Sequence, residues 1–442
     1  MNNDYHNKKV HDEPMLFADE EMGLIPLEAV TGAYRRCLRR KRGTIDALRF
    51  ECNAESECVR LWQDLNTGHY RPSRSIVFIS NRPVKREIFG AAFRDRVVDT
   101  IFAEHMTPLL EEQYIDDNYS TRVGKGTLYG ILRVEQMIRQ CSDFYRRDCY
   151  VMKLDMQSYF MSLPKERVYE KFAHFISTHY HEPDQALLLS LLRIIINDRP
   201  ELHCVRNSAR HQWDGLPRNK SLFHSDGRHG LPIGKIVSQM SALVFMDDLD
   251  HEIKALDKNI YYGHYMDDII MVDQNPEFLA WVRDEVVDRW AKENGVRRHP
   301  RKMYLQHYAK GVLFTGGMVK QGRIYISRRT LGNWRTSIER YNRLAKSSPD
   351  YVEKHCEQFV ATMNSYLGLT RHFAALNIVH RYCRMIGKEW YRVMYIKGKG
   401  RCYKCVLRKQ YKPKTVAINR LHEELASYFR TTKKFKTTKK TA

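Results

Sequence analysis

The 442-residue sequence has no apolar run long enough to cross a lipid bilayer. A strongly apolar stretch, residues 186–196, is interrupted by Ser190 and Arg193. It is also about half as long as the roughly 20 residues that a membrane helix needs. This stretch therefore predicts a buried core helix, and we expect no membrane partner.

The cysteines do not provide a complete zinc site. Of ten cysteines, only Cys402 and Cys405 have the spacing of metal ligands, and no second Cys or Cys/His pair lies at a suitable distance along the chain. Structural zinc is bound by four ligands, so this pair supplies half a site at most. No signal peptide opens the chain, which predicts reduced thiols and a cytoplasmic protein.

Acidic residues are scarce at the C-terminal end. Residues 381–442 contain 19 lysines and arginines and three acids, while the whole chain has a net charge of +22. Aromatic residues alternate with the basic ones, which favours backbone neutralisation and base stacking on a nucleic acid. These aromatics are Tyr391, Tyr395, Tyr403, Tyr411, Tyr428 and Phe429. We expect this segment to hold RNA, and residues 431–442 to be a solvated tail. A second basic cluster, residues 35–42, is expected to contact RNA or a protein.

Two adjacent carboxylates form the most informative motif. Asp267 and Asp268 lie between the apolar runs 260–262 and 269–272, which predicts a β-hairpin with acids at its tip, and Asp155 ends another apolar run, 150–154. Two carboxylates about 4 Å apart repel by roughly 4 kcal/mol at an effective dielectric of 20, and a divalent cation removes this cost. Mg²⁺ prefers such oxygen ligands together with substrate phosphates. Together the three acids predict a metal site for phosphoryl transfer, whereas Asp267 and Asp268 alone could be a solvated turn.

Several other motifs accompany these acids in a fixed order. The combination resembles bacterial reverse transcriptases over about residues 70–380. The segment Gly-x-Pro-Ile-Gly-x-x-x-Ser-Gln is similar to that of diversity-generating retroelements and related unassigned groups, several of which act in phage defence. The motifs in chain order are residues 85–88, 93–98, 119–127, 155–160, 230–239 and 265–268.

The resemblance implies an α+β fold of the right-hand polymerase type, with an antiparallel palm sheet and a helical thumb. We expect the following subdomains: a mobile N-terminal arm at 1–25, N-terminal helices and fingers at 26–145, a palm at 146–325 that contains a long loop at 199–229, a thumb at 326–390, and a basic extension at 391–442. Helical periodicity is also visible in residues 27–64 and 331–385.

The resemblance also implies roles for the central residues. Asp155 and Asp267 would ligate two Mg²⁺ ions, with Mn²⁺ as an alternative, and Asp268 would support them. Phe160 matches the bulky residue that excludes ribonucleotides, although a core aromatic would look the same in sequence. Lys302 matches the lysine near the leaving pyrophosphate and is our candidate general acid, although a surface lysine is the plainer interpretation.

Further residues match the nucleotide-binding parts of the family. Arg122 and Lys125 lie in a loop with glycines at 124 and 126, which allow a sharp turn close to a ligand. Residues 311–317 match the hairpin that holds the primer end, and Arg94 and Arg96 would be structural or touch template phosphates. The remaining candidates for nucleotide binding are Lys85, Arg86, Pro232, Ile233, Gly234 and Gln239. Most reverse transcriptases have Gln where this chain has Ile233.

These motifs predict an RNA-directed DNA polymerase that extends a primer with deoxynucleotides on template RNA, which would be a dedicated non-coding RNA. The expected biological role is antiviral defence, with mutagenic copying in a diversity-generating retroelement as the alternative. Two other classes stay open: a non-catalytic, maturase-like RNA-binding protein and an RNA-dependent RNA polymerase. No acidic constellation of an RNase H domain is visible, so accessory proteins are expected.

Overall fold

The computed structural model describes residues 24–41, 44–81, 84–257 and 260–412. Within these ranges the chain forms two compact units. The first comprises the described parts of residues 1–130 and 140–307, and the second those of 131–139 and 308–442. The predicted N-terminal arm and residues 413–442 lie almost entirely outside the described residues. No helix in the described ranges is long and apolar enough to span a membrane.

The first unit begins with helices and then alternates helices with strands. Its helices are α1 (Leu27–Lys41), α2 (Ile45–Cys52), α3 (Ala54–Asn66), α4 (Phe93–Gln113), α5 (Thr127–Cys141, whose residues 131–139 group with the second unit), α6 (Tyr159–Ser162), α7 (Lys165–His179), α8 (Gln185–Asn197), α9 (Pro200–His203), α10 (Ile236–Leu256), α11 (Pro276–Trp281) and α12 (Asp288–Glu293). Its strands are β1 (Ile76–Ser80), β2 (Arg86–Gly90), β3 (Tyr150–Asp155), β4 (Val205–Arg206), β5 (Tyr261–Tyr265), β6 (Asp268–Asp273) and β7 (Tyr304–His307).

The predicted helical stretch at 27–64 is divided into α1, α2 and α3. The Thr44 hydroxyl accepts a hydrogen bond from the Ala47 backbone and so caps α2. At the other end of α2, the Asn53 backbone donates to the Phe50 carbonyl and closes the helix. Helical periodicity alone does not reveal these breaks.

A four-stranded antiparallel sheet in the order β5-β6-β3-β7 forms the centre of the first unit. Residues 269–272 of β6 are fully buried, as are Val151, Met152 and Leu154 of β3. Short continuous apolar runs of this kind are typical of fully buried strands. Helices and antiparallel sheets together make the α+β fold that the sequence predicts, and α8 is the expected buried helix.

The predicted long loop at 199–229 contains short elements and is fixed to β2. Glu87 of β2 is buried, and its carboxylate accepts hydrogen bonds from Trp213 Nε1 (2.6 Å), Ser221 Oγ (2.7 Å) and the Leu222 backbone (2.8 Å). A buried carboxylate needs such donors to offset its lost hydration. The loop also supplies β4, which pairs in parallel with β1.

The second unit contains a small sheet, several helices and a terminal hairpin. Its strands are β8 (Val312–Phe314), β9 (Gly317–Lys320), β10 (Arg323–Ile326), β11 (Met394–Lys397) and β12 (Lys404–Leu407), and its helices are α13 (Arg328–Ser347), α14 (Pro349–Lys354), α15 (Cys356–Thr370) and α16 (Leu376–Arg384). The aromatic rings of Phe359 and Trp390 stack with their centroids 3.9 Å apart.

The subdomain boundaries predicted from the sequence differ from these units. Residues 308–325, which the sequence assigns to the palm, group with the helices that follow them. Met394 and Cys405, from the predicted C-terminal extension, are buried in the same apolar core as Trp334 and Trp390. The described start of the extension is therefore part of the second unit, and the subdomain boundaries stay predictions.

Candidate active site

The acidic hairpin is built from β5 and β6, joined by a two-residue turn. Tyr265 pairs with Asp268, so Met266 and Asp267 form the turn. Met266 has a φ of +55°, which is uncommon for a residue with a side chain and costs free energy. Its backbone N–H donates to Ser120 Oγ at 2.5 Å, which helps to hold the turn. The tip therefore has a fixed, strained conformation.

A buried polar network supports this turn from inside the first unit. His264 Nδ1 lies 2.9 Å from the Met266 carbonyl, and His264 Nε2 lies 2.8 Å from Asp250 Oδ2. The Tyr262 hydroxyl donates to the other Asp250 oxygen at 2.5 Å. Burial lowers the pKa of His264, but Asp250 and the hydrogen bonds outweigh burial and raise it overall. Both ring nitrogens face acceptors, which suits the doubly protonated ring. Sequence reasoning missed this network.

Sheet pairing brings the third acid to the hairpin. Asp155, the last residue of β3, pairs directly with Asp268, and the Met156 backbone donates to the Asp267 carbonyl at 3.2 Å. The pKa of Asp267 is raised to about 6, first by burial and then by the negative charges of Asp268 and Asp155. Asp155 Oδ1 is buried and has no hydrogen-bond partner among the described residues. The site therefore concentrates negative charge.

Two lysines offset part of this charge. Lys302 Nζ lies 3.0 Å from Asp155 Oδ2, and Lys153 Nζ lies 2.9 Å from Asp268 Oδ1. Lys302 was a predicted site residue, whereas Lys153 was missed. Its position two residues before Asp155 was the available signal, because alternate residues of a strand share a face.

The acids fit a metal ion that takes only some of its ligands from protein. In the described ranges, no group of three or more His, Cys, Asp or Glu side chains is arranged to hold a metal by itself. The buried, unpartnered Asp155 Oδ1 and the raised pKa of Asp267 are nevertheless what a divalent cation would relieve. Mg²⁺ characteristically binds one or two carboxylates and completes its shell with water and substrate phosphates.

Phe160 lies just beyond this acid cluster, on α6. Its side chain is half-buried, and its carbonyl accepts a hydrogen bond from the Leu231 backbone at 2.7 Å. The neighbouring Tyr159 is buried and donates through its hydroxyl to the Ala242 carbonyl at 2.6 Å. Tyr159 anchors α6, so the position of Phe160 is fixed relative to the segment that begins at Leu231.

The segment 232–239 packs against β2. The Ile233 carbonyl accepts from the Phe89 backbone at 2.8 Å, and Pro232 is buried. Gly234 has a φ of +123°, and a Cβ there would lie 2.6 Å from the Phe89 carbonyl oxygen. Glycine is therefore required at 234. Gln239 accepts a hydrogen bond from the Thr121 hydroxyl at 3.4 Å.

The order of these elements matches a known protein family. A family model described as reverse transcriptase (RNA-dependent DNA polymerase) matches residues 85–319, more than half of the chain. This chain belongs to the reverse transcriptase family. The match contains all three acids, Phe160 and Lys302.

Solved structures similar to this reverse transcriptase include telomerases from two Candida species. Apo telomerase from Candida tropicalis gives a TM-score of 0.44 at 12% identity, covering 73% of this chain and 59% of that one. A form of the same telomerase truncated from its C-terminal domain gives a TM-score of 0.41 at 12% identity, and the match covers 57% of this chain and 55% of that one. Candida albicans telomerase in complex with a TWJ fragment of telomeric RNA gives a TM-score of 0.41 at 10% identity, and the match covers 73% of this chain and 57% of that one. This chain thus spans less than two-thirds of each of them. No curated protein matches the sequence.

The predicted basic residues of this reverse transcriptase differ in where they lie. Arg86 is close enough to Asp267 for its charge to lower the pKa of that acid. Lys85 donates to the Asp214 carbonyl at 2.6 Å, in the long loop. Arg94 pairs with Asp64, and Arg96 Nε donates to the Ala91 carbonyl at 2.8 Å, and the choice between a structural role and contact with template phosphates stays a prediction.

Arg122 and Lys125 form ion pairs with acids other than Asp155, Asp267 and Asp268. Arg122 Nε contacts Glu111 at 2.8 Å, and its guanidinium also donates to the Ile115 carbonyl at 2.7 Å. Lys125 Nζ contacts Asp116 Oδ1 at 2.8 Å. Both cations brace the loop that contains them, and their expected role in gripping the triphosphate stays a prediction.

Cys402 and Cys405 differ in their burial. Cys405 is buried in the second unit, and burial raises the pKa of its thiol to about 12, whereas Cys402 is exposed. Zinc is bound by thiolate, which this burial disfavours.

Proposed function

We propose that this chain is an RNA-directed DNA polymerase that extends a primer with deoxynucleotides. The observation that carries the proposal is the meeting of Asp155, Asp267 and Asp268 at the ends of adjacent strands, where burial and then the charges of its two neighbours raise the pKa of Asp267. Membership of the reverse transcriptase family supports the reaction class.

In this proposal Asp155 and Asp267 would hold two Mg²⁺ ions, and Asp268 would assist. Bound there, the ions would neutralise the acids and favour attack by the primer 3′ oxygen on the incoming phosphate. Lys302 would deliver a proton to the leaving pyrophosphate from its position beside Asp155. Arg86, whose charge reaches Asp267, would contact the nucleotide phosphates. Phe160 would exclude the ribose 2′-hydroxyl.

Primer extension on an RNA template tests this reaction. Purified chain, Mg²⁺ or Mn²⁺ and either deoxynucleotides or ribonucleotides would be compared with Asp267→Asn. Asp148→Asn is the matched control, because Asp148 has a side chain that is 82% exposed and pairs with His307 at the far end of the sheet. We expect DNA from the wild type and from Asp148→Asn only.

The alternative classes predict different results in the same assay. An RNA-dependent RNA polymerase would incorporate ribonucleotides in preference to deoxynucleotides. A maturase-like binding protein would retain RNA but extend no primer in either metal. Either result would contradict the proposal.

We further infer a bacterial antiviral role, with mutagenic copying as the alternative. Ile233 stands where most of the family has Gln, and the pattern of residues 230–239 is shared by diversity-generating and related enzymes. Sequencing the DNA product separates the two roles, because errors concentrated at template adenines would favour diversification. Sequencing RNA that co-purifies with the chain tests for a dedicated non-coding template, and proteins retained with it test for an accessory partner.

A further inference from the structure

The terminal hairpin of the second unit has a clear inner and outer face. Met394 of β11 and Cys405 of β12 are fully buried in the core of the unit. Because side chains alternate along a strand, this burial turns Tyr395, Lys397 and Lys404 outward. All three are exposed. The outer face is therefore fixed by the packing of the inner one.

The hairpin is held firmly to its unit. The Asn364 side chain of α15 bonds both backbone groups of Cys405, each at 2.8 Å, as a neighbouring strand would. The Arg408 backbone donates to the Val393 carbonyl at 2.9 Å. An isolated two-stranded hairpin is marginally stable in water, so these contacts explain how the outer face keeps its shape.

The charges on the outer face are of one sign. Residues 391–412 contain eight lysines and arginines and no acid. Lys397 lies directly opposite Lys404 in the ladder, and like charges in this position are unfavourable. Among the residues that the structure describes, neither lysine forms an ion pair. A bound anion would remove this repulsion.

Aromatic rings accompany these lysines. Tyr395 shares the outer face with Lys397, and its residue is 43% exposed, while Tyr391 is 37% exposed. The other two tyrosines of the segment have hydrogen-bond partners within the unit. The Tyr403 hydroxyl lies 3.1 Å from His380 Nε2, and the Tyr411 hydroxyl donates to Glu353 at 3.2 Å. Exposed rings beside cations suit successive bases of an unpaired strand, which stack on aromatics while the phosphates meet lysines.

We propose that the outer face of the β11–β12 hairpin binds single-stranded RNA. The choice of RNA rests on the proposed function, because an RNA template is the single strand that such an enzyme would meet. The binding itself requires no catalysis and therefore does not depend on the three acids.

Fluorescence anisotropy with full-length protein tests the surface. The probe is a labelled oligouridine of about 16 nucleotides, with oligodeoxythymidine of equal length as the DNA arm. We expect Tyr395→Leu to weaken RNA binding about fivefold or more, and Tyr395→Phe to restore it, because stacking requires the ring. The double variant Lys397→Gln, Lys404→Gln should weaken binding. It should also reduce the slope of log affinity against log salt concentration by about 1.4, because each of the two lost phosphate contacts contributes roughly 0.7.

A charge-matched control separates the hairpin from net charge. Lys292→Gln with Lys354→Gln removes the same charge from exposed helix positions and should leave affinity within about twofold. Equal losses in both double variants, no loss in the hairpin variants, or tighter binding of the DNA oligomer would each overturn the proposal. Asp267→Asn should bind the oligomer like the wild type. RNA binding through the hairpin without primer extension by the wild type would contradict the polymerase function alone.

Discussion

Replacing Asp267 by Asn tests whether the acid cluster is under electrostatic stress. The pKa of Asp267 is raised from 3.8 to about 6, first by burial and then by Asp268 and Asp155. Between about pH 4 and pH 6 the folded chain therefore holds a proton that the unfolded chain has lost. The free energy of unfolding must fall as pH rises through this window, and the loss is complete above it.

The size of the effect follows from the shift. About two pKa units correspond to roughly 3 kcal/mol, which is an upper limit because Asp267 as a residue is only partly buried. Asparagine has nearly the same shape and stays neutral at every pH. Without metal, Asp267→Asn should therefore be more stable than the wild type by up to about 3 kcal/mol at pH 7, and equally stable near pH 4.

Thermal unfolding in EDTA between pH 4 and pH 8 measures this difference as a shift of the midpoint temperature, by about 2 °C per kcal/mol. Added Mg²⁺ should raise the midpoint of the wild type more than that of the variant, because a ligand stabilises the state that binds it. Asp226→Asn is a control, because the charge of Asp226 should affect stability with the opposite pH dependence. The hydrogen bond from His229 lowers the pKa of Asp226 to about 2, so its charge stabilises the fold above about pH 4, and that stabilisation disappears as pH falls through 2.

Two results would refute this reasoning. One is an equal difference between wild type and Asp267→Asn at pH 4 and pH 7, which would mean that the charge of Asp267 has no bearing on stability. The other is a variant less stable than the wild type at pH 7 in EDTA, which would mean that the carboxylate forms favourable contacts.

Three further predictions concern the residues around the acids. Phe160→Ala should increase ribonucleotide incorporation relative to deoxynucleotide, measured as a ratio of kcat/KM, and an unchanged ratio would contradict the role of this side chain as a gate. Lys302→Gln should lower kcat about a hundredfold with a smaller change in KM. Lys302→Arg should also be slow, because it retains the ion pair but not a transferable proton. Gly234→Ala should destabilise the fold by about 1–3 kcal/mol in thermal unfolding, because its Cβ would meet the Phe89 carbonyl, whereas Gly332→Ala has open space and should not.

The parts of the fold that depend on local pattern could be predicted from the sequence. The apolar runs flanking Asp267 and Asp268 predicted a hairpin, and the structure pairs Tyr265 with Asp268 across a two-residue turn. The apolar segment 186–196 predicted α8. The meeting of Asp155 with Asp268 is different, because about a hundred residues separate them along the chain. It followed from the order of family motifs, since no local spacing specifies which strands pair.

The choice of ion-pair partners could not be predicted in the same way. The loop that contains Arg122 and Lys125 has the composition of a phosphate-binding loop. In the folded structure, however, Arg122 pairs with Glu111 and Lys125 pairs with Asp116. The network of Tyr262, Asp250 and His264 joins a strand to a helix, so neither segment reveals it alone. Glu87 likewise organises a loop more than a hundred residues away in sequence. These partners are set by tertiary packing, which sequence periodicity does not record.

The two lysines of the acid cluster leave room for a cation. Lys302 contacts Asp155 through Oδ2, while Oδ1 of the same carboxylate is buried without a partner among the described residues. Asp155 can therefore offer Oδ1 to a divalent ion without releasing Lys302. Lys153 pairs with Asp268 in the same way. The pKa of Asp267 is raised, first by burial and then by the charges of Asp268 and Asp155. Since a buried charge must be compensated, protonation of Asp267 and binding of a cation are competing means of compensation, and metal affinity should rise with pH around 6.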